Sequence, residues 1–390
     1  MPDARTTIIL FLIDNQGVPG VESENYLCSL FVTPETSSFS PAKVTFDTRG
    51  LRKKILSLIA DGIPTVEKLR KDLGQRIWKH FGLARVFTHL KTHEQVTFLT
   101  NDALIPWEWA ADPKGKTICE MMPCGTVFFE QMEFAAKAIQ GIRSANAFHD
   151  IDEQIQRMKA ILLFDAGDHH GLESLPRSKD EAESIRDVLI ESGLKSTNIT
   201  TADGAKDDAE DAFLNAIHSM RRDLGIIHYS GHIQDGNLRL KHDKIECKEI
   251  TDNFESNSRL RRTLVFLNGC ESGEVKDVWN KEKNMSTAWL KAGAGGIICC
   301  RQEIFDDDAC AFAGTFYRKL LSEEGRYQSV GSALKLTREE MIENRGQSVS
   351  WLQYTLFGHP HFSLLQPPRL EDLKKVPSGY KTALQEFERQ

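Results

Sequence analysis

IIHYSGH at residues 226–232 and LVFLNGCESG at residues 264–273 are the two stretches that decide the fold of this chain. Each begins as an apolar run with the length of a buried strand and closes on glycine next to a reactive side chain. In open α/β sheets, ligand sites collect at the carboxyl ends of the strands. If the two strands are neighbours, we expect His232 and Cys270 to meet there. A thiol beside an imidazole forms a cysteine nucleophile with its base.

The bulk composition excludes several classes of protein. The chain has 390 residues and a formal net charge of -7, and its basic residues are scattered, which argues against a nucleic-acid partner. The apolar run at residues 8–13 is too short to cross a membrane or to serve as a signal h-region. The eight cysteines form no CxxC pair, which favours reduced thiols. We therefore expect a cytoplasmic protein without a membrane partner.

The order of predicted elements indicates an α/β fold with a mainly parallel sheet. Strands and two helices are expected before residue 130, and a charged stretch at residues 145–157 separates them from a regular alternation. A hairpin or substrate-facing loop is expected at residues 236–250. The alternation comprises strands at 159–165, 198–202, 224–230, 263–268 and 295–300, and helices at 178–192, 207–221, 284–292 and 306–321. Three regions follow from this order: residues 1–150, 151–366 and a polar tail at 367–390.

The sequence resembles the CHAT domains, caspase-like cysteine proteases of the clan that also holds caspases, separases and gingipains. The resemblance covers roughly residues 65 to 366 and is carried by an ordered set of short motifs. These are LIPWE at 104–108, LP at 175–176 before an acidic helix, GH at 231–232, CESG at 270–273, AGA at 292–294 and LFGHP at 356–360. It implies a caspase-like, mainly parallel sheet flanked by helices and preceded by a smaller α/β region. Residues 1–150 would then be a regulatory or pseudo-protease half, and residues 151–366 the catalytic domain.

The resemblance also implies a catalytic arrangement and a biological setting. His232 and Cys270 would form the catalytic dyad, and the backbone amides of Cys270 and Ile233 would form the oxyanion hole. Relatives usually carry glycine where this chain has Ile233, so the orientation of that second donor is the weaker expectation. The implied protein is a bacterial endopeptidase that cleaves one or few protein substrates in a defence or cell-death pathway. An activating protein partner is expected, and residues 1 to about 60 would supply its contact.

Other residue patterns have simpler structural interpretations. A single cysteine after an apolar strand is more often a packing residue, since free cysteine is among the most buried residue types. His228 lies inside its apolar run, and on a strand it would stand about 13 Å from His232, too far to share a metal, so we interpret it as a core or supporting residue. No histidine cluster has the spacing of a zinc site, no phosphate-binding loop is present, and we expect neither a metal nor a cofactor.

Four residues after the strand at 295–300 are candidates for the substrate pocket. Asp306 and Asp307 begin a helix, where acidic residues are favoured by the helix dipole, and they would also favour a basic P1 residue. Arg301 and Gln302 would favour an acidic or polar one. These cues oppose each other, so the P1 preference stays open, as do the physiological substrate, the activation signal, self-processing and the oligomeric state.

Three functions remain open from the sequence. The first is a cysteine endopeptidase that uses His232 and Cys270. The second is a catalytically silent scaffold that keeps the caspase-like fold for protein binding. The third is a nucleotide-dependent hydrolase, which the absence of a Walker or dinucleotide loop disfavours.

Overall fold

A computed structural model describes most of the central part of the chain. For residues 6–13, 24–32, 42–46 and 49–50, only the backbone is described. The described ranges are 6–13, 24–32, 42–46, 49–60, 65–87, 95–100, 105–128, 151–165, 175–220, 223–254, 260, 262–269, 285–302, 304–322, 328–346 and 348–365. Residues 270–273 and the tail at 367–390 lie outside them.

The described residues form fourteen strands. The strands are β1 Thr6–Ile13, β2 Glu24–Val32, β3 Ala42–Phe46, β4 Gln95–Thr100, β5 Cys124–Phe128, β6 Lys159–Phe164, β7 Ile199–Asp203, β8 Leu224–Ser230, β9 Ile233–Gln234, β10 Asn237–Arg239, β11 Lys244–Ile245, β12 Leu264–Asn268, β13 Gly296–Cys300 and β14 Tyr354–Gly358.

Thirteen α-helices are described, together with a π-helical turn at Arg70–Gly74 and 3₁₀ turns at Trp107–Trp109 and Ser196–Asn198. The α-helices are α1 Arg49–Ala60, α2 Val66–Leu69, α3 Gln75–His80, α4 Leu83–Phe87, α5 Ile118–Met121, α6 Ile151–Arg157, α7 Arg177–Glu191, α8 Ala209–Met220, α9 Cys247–Phe254, α10 Met285–Lys291, α11 Asp306–Leu321, α12 Val330–Arg345 and α13 Ser350–Gln353.

Eleven of these strands form one sheet in the order β3-β2-β1-β4-β5-β14-β13-β12-β8-β6-β7. Seven of its ten neighbouring pairs are parallel, and the antiparallel pairs are β3 with β2, β2 with β1, and β14 with β13. The mainly parallel α/β sheet expected from the sequence is confirmed. Strands from both sides of residue 150 lie in this sheet, and the domain boundary at that residue stays a prediction.

Two apolar clusters cover the two faces of the sheet. Alternate residues of one strand enter opposite clusters, as the two-residue period of a strand requires. In β12, Phe266 packs in the cluster under α7, α11 and α12, whereas Val265 packs in the cluster under α8, α9 and α10. Both faces are therefore buried, which explains why β8 and β12 read as continuous apolar runs.

The smaller sheet β9-β10-β11 follows directly after β8. Asp235 and Gly236, which connect β9 to β10, have φ values of 53° and 75°. Positive φ at both positions is the geometry of a two-residue type I′ hairpin, for which Asp-Gly is a favoured sequence. The hairpin expected within residues 236–250 is therefore present, and it begins earlier, at Ile233.

Some elements of the structure were not predicted from the sequence. The charged stretch expected to act as a separator contains helix α6, whose Ile151 and Ile155 are buried on one face. The sequence also gave no indication of α12 or of β14, although β14 lies in the middle of the large sheet.

Candidate active site

The strands that carry the two key motifs are direct neighbours. β8 and β12 pair in parallel, and the register runs without a break from Leu264 opposite Ile226 to Asn268 opposite Ser230. Every pair is offset by 38 positions in the sequence. The sequence expectation that these two strands lie side by side is confirmed. Their carboxyl ends therefore open at the same edge of the sheet.

The backbones come unusually close at this edge. Gly231 donates its amide to the carbonyl of Asn268 at 3.2 Å. A Cβ added to Gly269 would lie closer than 3.0 Å to the carbonyl oxygen of Gly231 and 2.9 Å from Cγ1 of Ile233. A Cβ added to Gly231 would lie 2.5 Å from the Tyr229 hydroxyl. Gly269 is therefore required by the close approach of the two strand ends, and Gly231 by the position of the Tyr229 ring next to it.

His232 follows β8 and is half-buried. Its carbonyl oxygen accepts the backbone amide of Arg239 at 2.9 Å, and the Tyr229 hydroxyl lies 2.7 Å from it. The same hydroxyl lies 2.7 Å from the carbonyl oxygen of Arg239. The backbone at His232 is thus fixed between β8 and the small sheet.

The other residues of the expected dyad and oxyanion hole are only partly described. Ile233 opens β9, pairs with Leu238, and its side chain is buried. Cys270 lies outside the described residues, one position after Gly269. The roles expected of Ile233 and Cys270 stay predictions.

A buried carboxylate lies beneath the two strand ends. Glu181 of α7 is only 1% exposed, and its Oε1 accepts Nε2 of His228 at 2.7 Å and Nδ2 of Asn268 at 2.6 Å. Its Oε2 accepts the Ser230 hydroxyl at 3.0 Å. The last residue of β8 and the last residue of β12 are therefore bonded to one side chain. Sequence reasoning missed this residue.

His228 is confirmed as a core residue that supports the site. Its ring is fully buried and stacks at an angle against Phe266, with the centroids 5.1 Å apart. Nδ1 lies 3.3 Å from the Tyr317 hydroxyl. Burial raises the pKa of Tyr317, so the phenol keeps its proton and can donate it to Nδ1. In that tautomer, Nε2 carries the proton that it donates to Glu181.

Arg301, a candidate pocket residue, is engaged in a buried ion pair. Its Nε donates to Oε1 of Glu108 at 2.7 Å and to the Thr355 hydroxyl at 3.0 Å. Its guanidinium also lies 5.5 Å from the ring centroid of Phe357. The positive charge of Arg301 is therefore balanced by a carboxylate from the LIPWE motif, which sequence reasoning had not assigned to the site.

Gln302 is also buried. Its side-chain amide nitrogen and oxygen make no hydrogen bond to any described residue. Its place in a substrate pocket stays a prediction.

Asp306 and Asp307 begin α11, as expected, and both bind Arg177 at the start of α7. Asp306 accepts the backbone amide of Arg177 at 2.9 Å, and Asp307 accepts its Nε at 2.9 Å. Burial raises the pKa of Asp306 above its usual value, and the Arg177 amide opposes this shift only in part. The two carboxylates thus join the N-termini of α7 and α11, both of which follow strands that end at the site.

The cysteines that the structure describes are poor nucleophiles. Burial raises the pKa of Cys119 and of Cys310 to about 11, and that of Cys247 to about 12. Cys124, Cys299 and Cys300 are fully enclosed. Because the thiolate is the attacking form, none of these residues has the environment of a reactive cysteine.

The described ranges contain neither a metal-binding cluster nor a membrane-spanning helix. No group of three or more His, Cys, Asp or Glu side chains there has the arrangement of a metal site. None of the helices described is both long enough and apolar enough to pass through a bilayer.

Comparison with known families identifies the chain. The model of the CHAT domain matches residues 71–359. The chain belongs to the CHAT domain family. The match includes both strand-end motifs and the segments that contribute Glu108, Glu181 and Arg301. The family expected from the sequence is confirmed, whereas a bacterial origin of this CHAT protein stays a prediction.

Solved structures show the same fold at low sequence identity. Gingipain R (RgpB), an Arg-specific cysteine proteinase, matches with a TM-score of 0.54 and 13% identity, over 75% of this chain and 69% of its own. The complex of the Porphyromonas gingivalis RgpB pro- and mature domains matches with a TM-score of 0.51 and 12% identity, over 76% and 70%. The Saccharomyces cerevisiae separase-securin complex scores 0.44 at 14% identity, over 69% of this chain and 15% of that chain.

The two gingipain matches establish the fold and nothing finer. The CHAT protein has the caspase-like fold of cysteine proteases, as the sequence led us to expect. None of the curated proteins matches this sequence.

Proposed function

We propose that this CHAT protein is a cysteine endopeptidase in which Cys270 is the nucleophile and His232 its proton-transfer partner. The observation that carries the proposal is the unbroken register of β8 and β12, with its constant offset of 38 residues. The same offset, continued two residues past Ser230 and Asn268, would place Cys270 opposite His232. Neighbouring strands stand about 4.8 Å apart, a spacing that lets a thiol and an imidazole exchange a proton.

The glycines support the same proposal. Gly231 and Gly269 come immediately before the proposed dyad residues, and a Cβ on Gly269 would lie closer than 3.0 Å to the carbonyl oxygen of Gly231. The two chains are therefore still adjacent one residue before His232 and Cys270. An adjacent imidazole is one of the environments that lower the pKa of a cysteine thiol.

The proposed reaction proceeds through an acyl-enzyme. His232 accepts the thiol proton as the sulfur of Cys270 attacks the scissile carbonyl carbon, and backbone amides stabilise the oxyanion of the tetrahedral intermediate. When the C–N bond breaks, His232 gives the proton to the leaving amine. Water then attacks the thioester, its proton passing through His232, and this step releases the acid product and restores the thiol. We assign the oxyanion donors to the amides of Cys270 and Ile233.

The wider setting is part of the proposal. We place the substrate among proteins rather than small molecules, with few cleavage sites, and assign activation to a protein partner that contacts residues 1 to about 60. A cytoplasmic location is proposed on the composition of the chain and its cysteine pattern. A role in a bacterial defence pathway, antiviral in kind, or in cell death is proposed on the resemblance to the family alone. The P1 preference stays open, because Glu108 neutralises Arg301 and Arg177 neutralises Asp307.

The test compares the wild-type protein with two cysteine variants. The protein is incubated with a cell-derived proteome, and new N-termini are identified by mass spectrometry. We expect Cys270→Ala to abolish the cleavages and Cys310→Ala to leave them unchanged. Cys310 is a matched control because it is a partly buried thiol on α11 with a raised pKa.

Labelling with iodoacetamide provides a second measurement that needs no substrate. The wild-type protein should react first at Cys270, and His232→Ala should slow that reaction at neutral pH. Cleavage that persists in Cys270→Ala, or a Cys270 labelling rate that is unchanged in His232→Ala, would instead support the catalytically silent scaffold.

A further inference from the structure

We propose that Glu181 is a positioning residue that fixes the distance between the proposed nucleophile and its base. The inference rests on the proposed function above and deepens it. Glu181 belongs to neither strand-end motif, and the proposed reaction gives it no chemical step. It nevertheless lies in the core under the site, which demands a physical explanation because a buried carboxylate is costly unless it is fully bonded.

The hydrogen bonds of Glu181 connect the two strands at their final residues. Ser230 ends β8 and Asn268 ends β12, and both donate to the same carboxylate, to Oε2 and Oε1 respectively. His232 and Cys270 each follow two residues later in the sequence. A displacement of one strand end relative to the other would stretch or break these bonds, so the carboxylate resists separation of the strands where the dyad begins.

Asn268 extends this connection to two further elements. Its Oδ1 accepts the hydroxyl of Tyr354, the first residue of β14, at 2.7 Å. Its Nδ2 also lies 3.1 Å from the carbonyl oxygen of Ala309 in α11. The end of β12 is therefore held by α7, α11 and β14 together. Hydrogen bonds to a carboxylate are stronger than those between neutral groups. The bond from Asn268 to Glu181 is therefore the strongest of the three side-chain bonds described for Asn268.

His228 gives the carboxylate a third hydrogen-bond donor. It donates Nε2 to Oε1 of Glu181 and is itself fixed by Tyr317 and by the ring of Phe266. With three donors from three residues, the carboxylate has one orientation in which all are satisfied. That orientation limits how far β8 and β12 can shift relative to each other at Ser230 and Asn268.

The experiment compares Glu181→Ala with Glu181→Gln. Glutamine keeps an oxygen that can accept from His228 and Asn268, and its amide can donate to the Ser230 hydroxyl, so it preserves the connection without the charge. Alanine removes it. A misplacement of about 1 Å can cost on the order of 100-fold in rate. We expect kcat per titrated active site to fall about 100-fold in Glu181→Ala and less than about 5-fold in Glu181→Gln, with KM changed by less than about 3-fold in both.

Glu120→Ala is the matched control. Glu120 is also a buried carboxylate, bonded to the Thr117 amide and hydroxyl and to Arg70, but it lies in α5 before β5. We expect it to lower the melting temperature with no loss of kcat per titrated site. A purely structural role of Glu181 would give the same result, so wild-type kcat in folded Glu181→Ala overturns the inference. Equal losses in Glu181→Ala and Glu181→Gln overturn it as well.

The kcat of Ser230→Ala and the alkylation rate of Cys270 test the inference independently of the folding of Glu181→Ala. If Glu181→Ala does not fold, Ser230→Ala removes one bond of the connection, and an unchanged kcat in that variant overturns the inference. The alkylation rate of Cys270 by iodoacetamide at pH 7, read from peptide masses, is measured in the same variants. Peptide cleavage that never depends on Cys270 defeats the proposed function. A Cys270 alkylation rate that is equal in the wild type and in Glu181→Ala defeats the positioning role.

Discussion

Replacement of Gly269 by alanine tests the close approach of the two strand ends. The added Cβ would lie closer than 3.0 Å to the carbonyl oxygen of Gly231, and 2.9 Å and 3.2 Å from Cγ1 and Cδ1 of Ile233. The ordinary separation of a carbon and a carbonyl oxygen is about 3.3 to 3.6 Å, so the strand ends must move apart by about 1 Å. The Ile233 side chain is buried in the core and has little room to retreat.

The expected result has two parts. Overpacking in a close-packed core costs about 1 to 3 kcal/mol of unfolding free energy. A displacement of about 1 Å at the reacting groups can lower the rate about 100-fold. The unfolding free energy is measured by urea denaturation followed by tryptophan fluorescence. The catalytic effect is measured as kcat/KM on a cleaved peptide, and as the alkylation rate of Cys270.

Gly314→Ala is the control for this variant. Gly314 lies inside α11, and an added Cβ would meet only side-chain atoms at 3.6 Å and 3.8 Å, which is ordinary contact. Alanine in a helix interior is favoured over glycine by about 0.5 to 1 kcal/mol, so this variant should be slightly more stable and equally active. If Gly269→Ala is as stable and as active as the wild type, the strand ends are not packed as described and the argument for the dyad fails with them.

Three further predictions concern single side chains. Glu108→Ala leaves Arg301 buried without its carboxylate and should lower the unfolding free energy by about 3 to 5 kcal/mol in urea denaturation, while Glu108→Ala combined with Arg301→Met should recover part of the loss; equal stability of single variant and wild type would contradict this. Burial opposes ionisation of Asp308, but hydrogen bonds from Ser348, Arg345 and Ser350 outweigh it and hold its pKa below the usual value. This depressed pKa contributes stability that is fully present above the unfolded value of about 3.9 and is lost as the pH falls through the folded value. The deficit of Asp308→Asn in thermal melts should therefore be largest near pH 7 and shrink as the pH falls below about 4; a deficit independent of pH would refute it. With a pKa of about 11, Cys119 and Cys310 are ionised to about one part in 10⁴ at pH 7, so mass spectrometry should find Cys270 alkylated at least about 100 times faster; comparable rates would argue against an activated thiol.

The sequence predicted the strands that carry the motifs because their signal is local. β8 and β12 are apolar on both faces and end at glycine, and this pattern placed them to within one residue. β14 gave no comparable signal, since it is five residues long and its partners β5 and β13 lie far away in the sequence. Helix α12 was also missed, because its buried face includes Thr337 and Arg338, which read as polar.

The sequence predicted the two strand-end motifs of the candidate site, but not the buried residues Glu181 and Glu108 that bind the residues around it. Glu181 lies in a helix rich in acidic residues, and charge alone does not separate it from Glu183. The position of Glu181 in the helix distinguishes it from Glu183. The buried face of α7 repeats every four residues, at Glu181, Ile185 and Leu189. Glu108 was inside a quoted motif, yet its pairing with Arg301 joins residues 193 positions apart, which a pattern search along the chain does not detect.

The strand β14 lies between β5 and β13, and it joins the parallel strands of the N-terminal half to those of the C-terminal half. It is also the last strand that the described chain contributes to the sheet. During synthesis, all the other strands of this sheet leave the ribosome before β14 does. β5 and β13 therefore emerge with the edges that β14 later covers still unpaired. The sheet becomes continuous only once residue 358 has left the exit tunnel, so the nascent chain is most exposed to aggregation and to proteolysis just before that residue emerges.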